Sequence, residues 1–250
     1  MSSNCISGRK SLYYIMIISV IFLIIGLLLI PFGIGSTFAF IEILSGVSIL
    51  TKEHYYFLAG FGGYFLIHIL LYKPLSMYVF GHELTHVLWT YVFGGNVKSM
   101  RVSSRGGRVV VTKSNFLINL APYFFPIYTF FVFLIYWFFS FMFYAEKYFI
   151  VFLFLIGFSL AFHLALTFFA IRQRQSDIYE VGYVFSLSFI YVVNIFIIML
   201  ILKMIFPSEI KYMDFIEISC YKAKEVYSFV ISVLYQMGNK LYGLVISKIT

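Results

Sequence analysis

Uninterrupted apolar runs constrain this chain more than any other feature. The clearest extend from Leu12 to Ile34, Tyr55 to Tyr72, Pro74 to Phe93, Phe116 to Phe143, Tyr148 to Ile171 and Tyr183 to Phe206. A helix needs about 20 apolar residues to cross a hydrocarbon core, so each run is a candidate span. Composition agrees: 62% of the 250 residues are hydrophobic and 11% are charged, against about 25% charged in ordinary globular domains. The expected fold is an all-α polytopic membrane protein with five or six transmembrane helices, about six on the fuller count. Its expected place is as a multi-pass protein of the cell membrane, with the lipid bilayer as its first partner. The first run lacks a clear small-residue cleavage site and reads as a retained span.

The stretches between the runs set the organisation. Residues 1–54 read as an N-terminal span with an interfacial linker, whose middle, "FAFIEILSGVSIL", is short for a crossing and is expected to lie in the interface or re-enter. Residues 55–206 read as the membrane core. Residues 207–250 read as an amphipathic helix, with polar residues recurring from Glu217 to Ser247 and a possible break at Gly238 or Gly243. One internal stretch looks water-exposed: "GGNVKSMRVSSRGGRVVVTKS", Gly94 to Ser114, where β-branched residues flank an "SRGG" turn signal and predict a small β-hairpin. Its basic residues, Lys98, Arg101, Arg105, Arg108 and Lys113, assign it to the cytoplasm by the positive-inside rule. Arg172 and Arg174 fall on the same side, whereas Arg9 and Lys10 fall outside unless the linker adds a crossing.

The net charge of +8 resides in such loops and tails, which suits anchoring to anionic headgroups and gives no nucleic-acid partner. Cys5 and Cys220 lie at opposite ends of the chain and predict neither a disulfide framework nor a CxxC metal site.

The third run contains "YVFGHELTHVLWTYVF", Tyr78 to Phe93. On a helix, His82 and His86 point the same way and are close enough to chelate one ion. Glu83 is turned about 100° from His82 and reaches a water at such an ion. This HExxH spacing supplies two zinc ligands and a general base. Ionisable residues inside a span are costly and mark function by default; the alternative is a set of polar residues satisfied by helix-to-helix hydrogen bonds.

The segment Gly81-His82-Glu83-Leu84-Thr85-His86, followed by "FGGNVKSMRV" and a Gly-Gly hairpin, resembles the intramembrane zinc metalloproteases of the site-2 protease type, peptidase family M50. The resemblance extends over roughly Pro74 to Phe206. It implies a zinc-dependent endopeptidase that hydrolyses a peptide bond of a membrane-protein substrate within or beside the bilayer. It also implies Zn2+ ligand roles for His82 and His86, the base role for Glu83, and a distant aspartate as third ligand.

The chain has two aspartates, Asp177 and Asp214. Asp214 begins the C-terminal helix, so Asp177, in "RQRQSDIYEVG", is the expected third ligand; His163 and Glu180 are the reserves. The family aspartate usually stands in an Asp-Gly motif, whereas here Ile178 follows and the glycine comes at Gly182. Asp177 has alternative roles as a helix N-terminal charge or a partner of Arg172 or Arg174. In "NFLINLAPYFFPIY", Pro122 and Pro126 predict a break that a membrane tolerates only against protein or a wet cavity. Asn119 in that segment resembles a substrate-positioning group, with helix capping as its alternative. The hairpin would offer an edge strand to an unwound substrate. The rival functional class is a non-catalytic, M50-like scaffold, chaperone or metal-binding protein.

Overall fold

The computed structural model describes residues 3–47, 50–70, 74–103, 106–142, 145–173 and 175–247. In chain order its elements are α1 (Ser3–Ser45), α2 (Lys52–Leu70), α3 (Leu75–Val92), β1 (Val97–Ser103), β2 (Gly106–Val111), α4 (Phe116–Phe124), α5 (Ile127–Met142), a 3-10 turn at Ala145–Tyr148, α6 (Phe149–Arg172), α7 (Ser176–Val181), α8 (Tyr183–Ile205) and α9 (Tyr212–Ile246). The expected turn residues Ser104 and Arg105, and Arg174, lie outside the described residues.

Among the described residues, four helices are long and apolar enough to cross a bilayer: Met16–Ser45, Glu146–Arg172, Tyr183–Ile205 and Tyr212–Ile246. A fifth span results if α4 and α5, bent by 72° at their junction, count together. The chain is an integral multi-pass membrane protein. The total and the membership differ from the sequence expectation of about six. Glycine, tyrosine and histidine dilute the apolar content of α2 and α3, and neither is among the four. Helix α9 is among them while keeping its amphipathic polar positions, and it runs unbroken through Gly238 and Gly243. Helix α1 likewise continues past Ile34 to Ser45, with Pro31 inside it. Residues 38–45 of the stretch expected to lie in the interface or re-enter are therefore the end of the first helix.

The chain packs as two units. The unit formed by Met1–Val47 and Tyr191–Thr250 rests on α1 against α9. A Cβ on Gly35 would stand 2.4 Å from the Ala223 nitrogen, so the two backbones touch there. Phe215, Ser219 and Ala223, one turn apart, form the buried stripe of α9. Lys222 meets Glu42 at 3.8 Å.

The unit Ser48–Ile190 contains α2 to α7, the first part of α8 and the whole of the predicted site. Helices α2 and α6 dock through glycine: a Cβ on Gly60 would lie 2.0 Å from the Phe154 carbonyl oxygen, and one on Gly157 would lie 2.1 Å from that of Phe57. Helix α3 is backed by aromatic rings. Tyr128 fills the space beside Gly81, and Trp89 meets Phe124 edge-on with centroids 5.2 Å apart. The hairpin forms as expected, antiparallel, with Met100 opposite Val109 and Arg101 opposite Arg108. Asn115 caps α4 by accepting from the Ile118 N–H at 2.8 Å; Asn119, the cap considered from sequence, lies inside that helix. The short α7 follows α6 directly. It ends at Gly182, whose φ of +110° favours glycine, and is held by Ser186 Oγ donating to the buried Ile178 carbonyl at 2.9 Å.

Candidate metal centre

Helical spacing brings His82 and His86 together on α3, and their Nε2 atoms lie 3.3 Å apart. Asp177, in the first turn of α7, closes the group. Its Oδ2 is 3.3 Å from His82 Nε2 and 3.5 Å from His86 Nε2. Around a tetrahedral ion with bonds of about 2.0–2.1 Å, neighbouring ligand atoms stand about 3.3–3.4 Å apart. The three separations match that edge length. His82, His86 and Asp177 are the group of His, Cys, Asp or Glu residues that fits a metal ion among the described residues. Three protein ligands is also the number that leaves a position for water or substrate.

The surroundings fix which atoms face the centre. His86 Nδ1 is 2.9 Å from the Ile118 carbonyl oxygen; a carbonyl can only accept, so Nδ1 carries the hydrogen and Nε2 keeps its lone pair. Tyr78, one turn before His82, sets its hydroxyl 3.2 Å from His82 Nδ1. Tyr123 of α4 donates to Asp177 Oδ2 at 3.3 Å and packs its ring edge-on against His82. Burial alone would raise the Asp177 carboxyl, but the His82 and His86 imidazoles beside it outweigh burial and hold the group below the usual carboxylate range. Nothing in the residue pattern signals Tyr78 or Tyr123 in a chain with 21 tyrosines; the i, i+4 spacing from Tyr78 to His82 is the one available hint.

Glu83 is 7% exposed and lines the same cavity as the two histidines and Asp177, a space of about 270 Å³. The backbone of β2 lies against it: a Cβ on Gly107 would stand 2.4 Å from Glu83 Cγ and 2.5 Å from Oε1. The second glycine of the "SRGG" signal is thus the residue that lets the strand pass over the carboxylate. Gly107, Arg108, Val109 and Val111 of β2 line this cavity together with Ser114 and Asn119. Asn119 does not reach the metal group. Its Oδ1 accepts from Ser114 Oγ at 2.6 Å and its Nδ2 donates to Glu180 Oε2 at 3.3 Å.

The other sequence candidates fall elsewhere. Glu180 is engaged by Asn119, and His163 lines a small cavity of about 20 Å³ behind His82 without joining the ligand group. Asp214 faces Lys211 at 3.9 Å. Arg172, considered as a partner for Asp177, lies over the Phe168 ring instead, 4.4 Å from its centroid. Comparison with known proteins finds no match to this chain, whether among family models, curated proteins or solved structures.

Proposed function

We propose that the protein is a zinc-dependent endopeptidase of the M50 type, hydrolysing a peptide bond of another membrane protein within or beside the bilayer. The observation that carries this reading is the convergence of His82, His86 and Asp177 at tetrahedral spacing, with the carboxylate of Glu83 in the same cavity. His82, His86 and Asp177 would hold the ion, and zinc suits two imidazoles and one carboxylate. When bound, zinc polarises a carbonyl and lowers the pKa of a water molecule at its open position towards about 7.

The remaining work falls to the chain's own groups. Glu83 takes a proton from the attacking water and delivers it to the leaving amine. Ile118, Tyr78 and Tyr123 hold the ligands in orientation. Asn119, anchored by Ser114 and Glu180, keeps one amide N–H for the substrate backbone. A helical substrate hides its carbonyls in its own hydrogen bonds, so cleavage needs extended chain. Strand β2 belongs to a two-stranded sheet and lines the cavity, so an extended peptide would be held there by strand addition.

The test is metal content of the detergent-purified protein, wild type against His86→Ala and Asp177→Ala. The expected result is near-stoichiometric zinc in the wild type and loss in both variants. Glu83→Gln should keep zinc and abolish cleavage of membrane-protein substrates. A zinc-loaded, fully active Glu83→Gln protein would sink the assignment, and retained zinc with no turnover in the wild type would favour the non-catalytic scaffold.

A further inference from the structure

The two prolines of the α4–α5 segment occupy different positions. Pro126 lies at the junction where α4 and α5 bend by 72°. Pro122 lies inside α4, which stays helical from Phe116 to Phe124, so the bend does not account for it. A proline within a helix has no N–H to give to the carbonyl four residues back. For Pro122 that carbonyl belongs to Ile118. Other carbonyls of the segment are served in the ordinary way: the Asn119 N–H donates to Asn115 at 3.0 Å and the Phe125 N–H to Ala121 at 2.8 Å.

A buried carbonyl left without a donor is costly, and Ile118 is 2% exposed. The donor it receives comes from another helix. His86 Nδ1 of α3 lies 2.9 Å from the Ile118 oxygen, and that bond leaves Nε2 of the same ring to face His82 and Asp177. Pro122, itself buried, lines the small cavity beside His82. Ile118 and Pro122, one turn apart, thus present the same face of α4 to α3. A carbonyl oxygen has two lone pairs, so an N–H restored at position 122 would compete with His86 rather than exclude it.

We propose that Pro122 is a positioning residue of the metal centre: its missing N–H reserves the Ile118 carbonyl for His86 and so fixes the ring that offers Nε2 to the ion. The proposal rests on the zinc reading of the centre and deepens it.

The test compares wild type, Pro122→Ala and a protein with lactate, the α-hydroxy analogue of alanine, placed at position 122 by a chemically charged tRNA. Alanine brings back the N–H; lactate has the shape of alanine and no N–H. Zinc affinity is read in detergent by competition with a chromophoric chelator. Pro122→Ala should bind zinc about tenfold more weakly, the lower end of the loss when an outer-shell partner is removed, and lactate should restore the wild-type affinity. The ring is read by proton–nitrogen NMR of zinc-loaded protein made with isotope-labelled histidine. The His86 Nδ1–H should exchange slowly with solvent in the wild-type and lactate proteins and faster in Pro122→Ala. Thermal unfolding of the zinc-free protein excludes a general packing role: Pro122→Ala gains helix propensity and should melt no lower than wild type while its zinc affinity falls. Unchanged affinity in Pro122→Ala, or a loss that lactate does not reverse, overturns the role of the missing N–H. Should Pro122→Ala not fold, the lactate protein decides: wild-type affinity with a slow Nδ1–H upholds the proposal, and a weakened centre overturns it. Wild-type protein that takes up no zinc removes the metal reading and the proposal together. Affinities ranked as expected with no cleavage of a membrane protein keep the role of Pro122 and remove the peptidase reading alone.

Discussion

Three glycines of α2 should respond to the same substitution with opposite signs. At Gly60 a Cβ would lie 2.0 Å from the Phe154 carbonyl oxygen and 2.8 Å from its carbon, whereas Gly62 and Gly63 have nothing within 4 Å. A carbon meets a carbonyl oxygen comfortably at about 3.3 Å, so Gly60→Ala forces the two helices apart by roughly 1.3 Å. The obstructing atoms belong to the backbone of α6 and cannot rotate away. Overpacking of this kind costs about 1–3 kcal/mol, and a backbone obstruction belongs at the upper end. Alanine returns about 1 kcal/mol of helix propensity, leaving a net loss of about 2 kcal/mol. At about 2–4 °C per kcal/mol for a chain of this size, the Tm should fall by about 4–8 °C. Gly62→Ala and Gly63→Ala gain propensity without obstruction and should raise the Tm by about 2–4 °C each. The assay is thermal unfolding in one detergent, followed by near-ultraviolet circular dichroism. Equal shifts at all three positions, or a Gly60→Ala protein as stable as wild type, would refute the backbone contact between α2 and α6.

Three further outcomes bear on the metal centre. Tyr123→Phe removes the donor to Asp177 Oδ2 and should weaken zinc binding about 10–100-fold, read by competition with a chromophoric chelator, while the fold is retained. Zinc at 100 times its Kd should stabilise the protein by about 2.7 kcal/mol; chelation should lower the Tm correspondingly, and the same chelator should leave Asp177→Ala unmoved. Gly107→Ala places a methyl group against Glu83 and should displace its carboxylate by about 1 Å, a misplacement that costs about 100-fold in rate, with zinc content unchanged; a fully active Gly107→Ala protein would contradict the contact.

The centre was legible where its geometry is local. His82, Glu83 and His86 lie on one helix, and helical periodicity alone fixes their relation. Asp177 was reachable because the chain has so few aspartates, although its sequence context departs from Asp-Gly. Tyr78 and Tyr123 stayed hidden because their roles depend on the packing of α3, α4 and α7, and tyrosine is common throughout the chain. The helix ends were misread for a related reason. The first run reads as ending at Ile34, before a linker, but α1 continues to Ser45 with Pro31 inside it, and Gly35 is the point where Ala223 approaches. A glycine that admits a neighbouring backbone looks, in one dimension, like a glycine that ends a helix.

The place of Asp177 in the chain sets an order of events during synthesis. The two histidines emerge on α3, but their carboxylate partner follows only after the hairpin, α4, α5 and α6 have been made. The docking of α6 on α2 through Gly60 and Gly157 orients the helix that leads into α7. Until then the nascent chain has, of this group, only two imidazoles on one helix, which, on the zinc reading, would make a weaker and less selective chelate. Completion of the His82-His86-Asp177 group thus comes late in synthesis, and a ribosome stalled before α7 leaves a chain without Asp177.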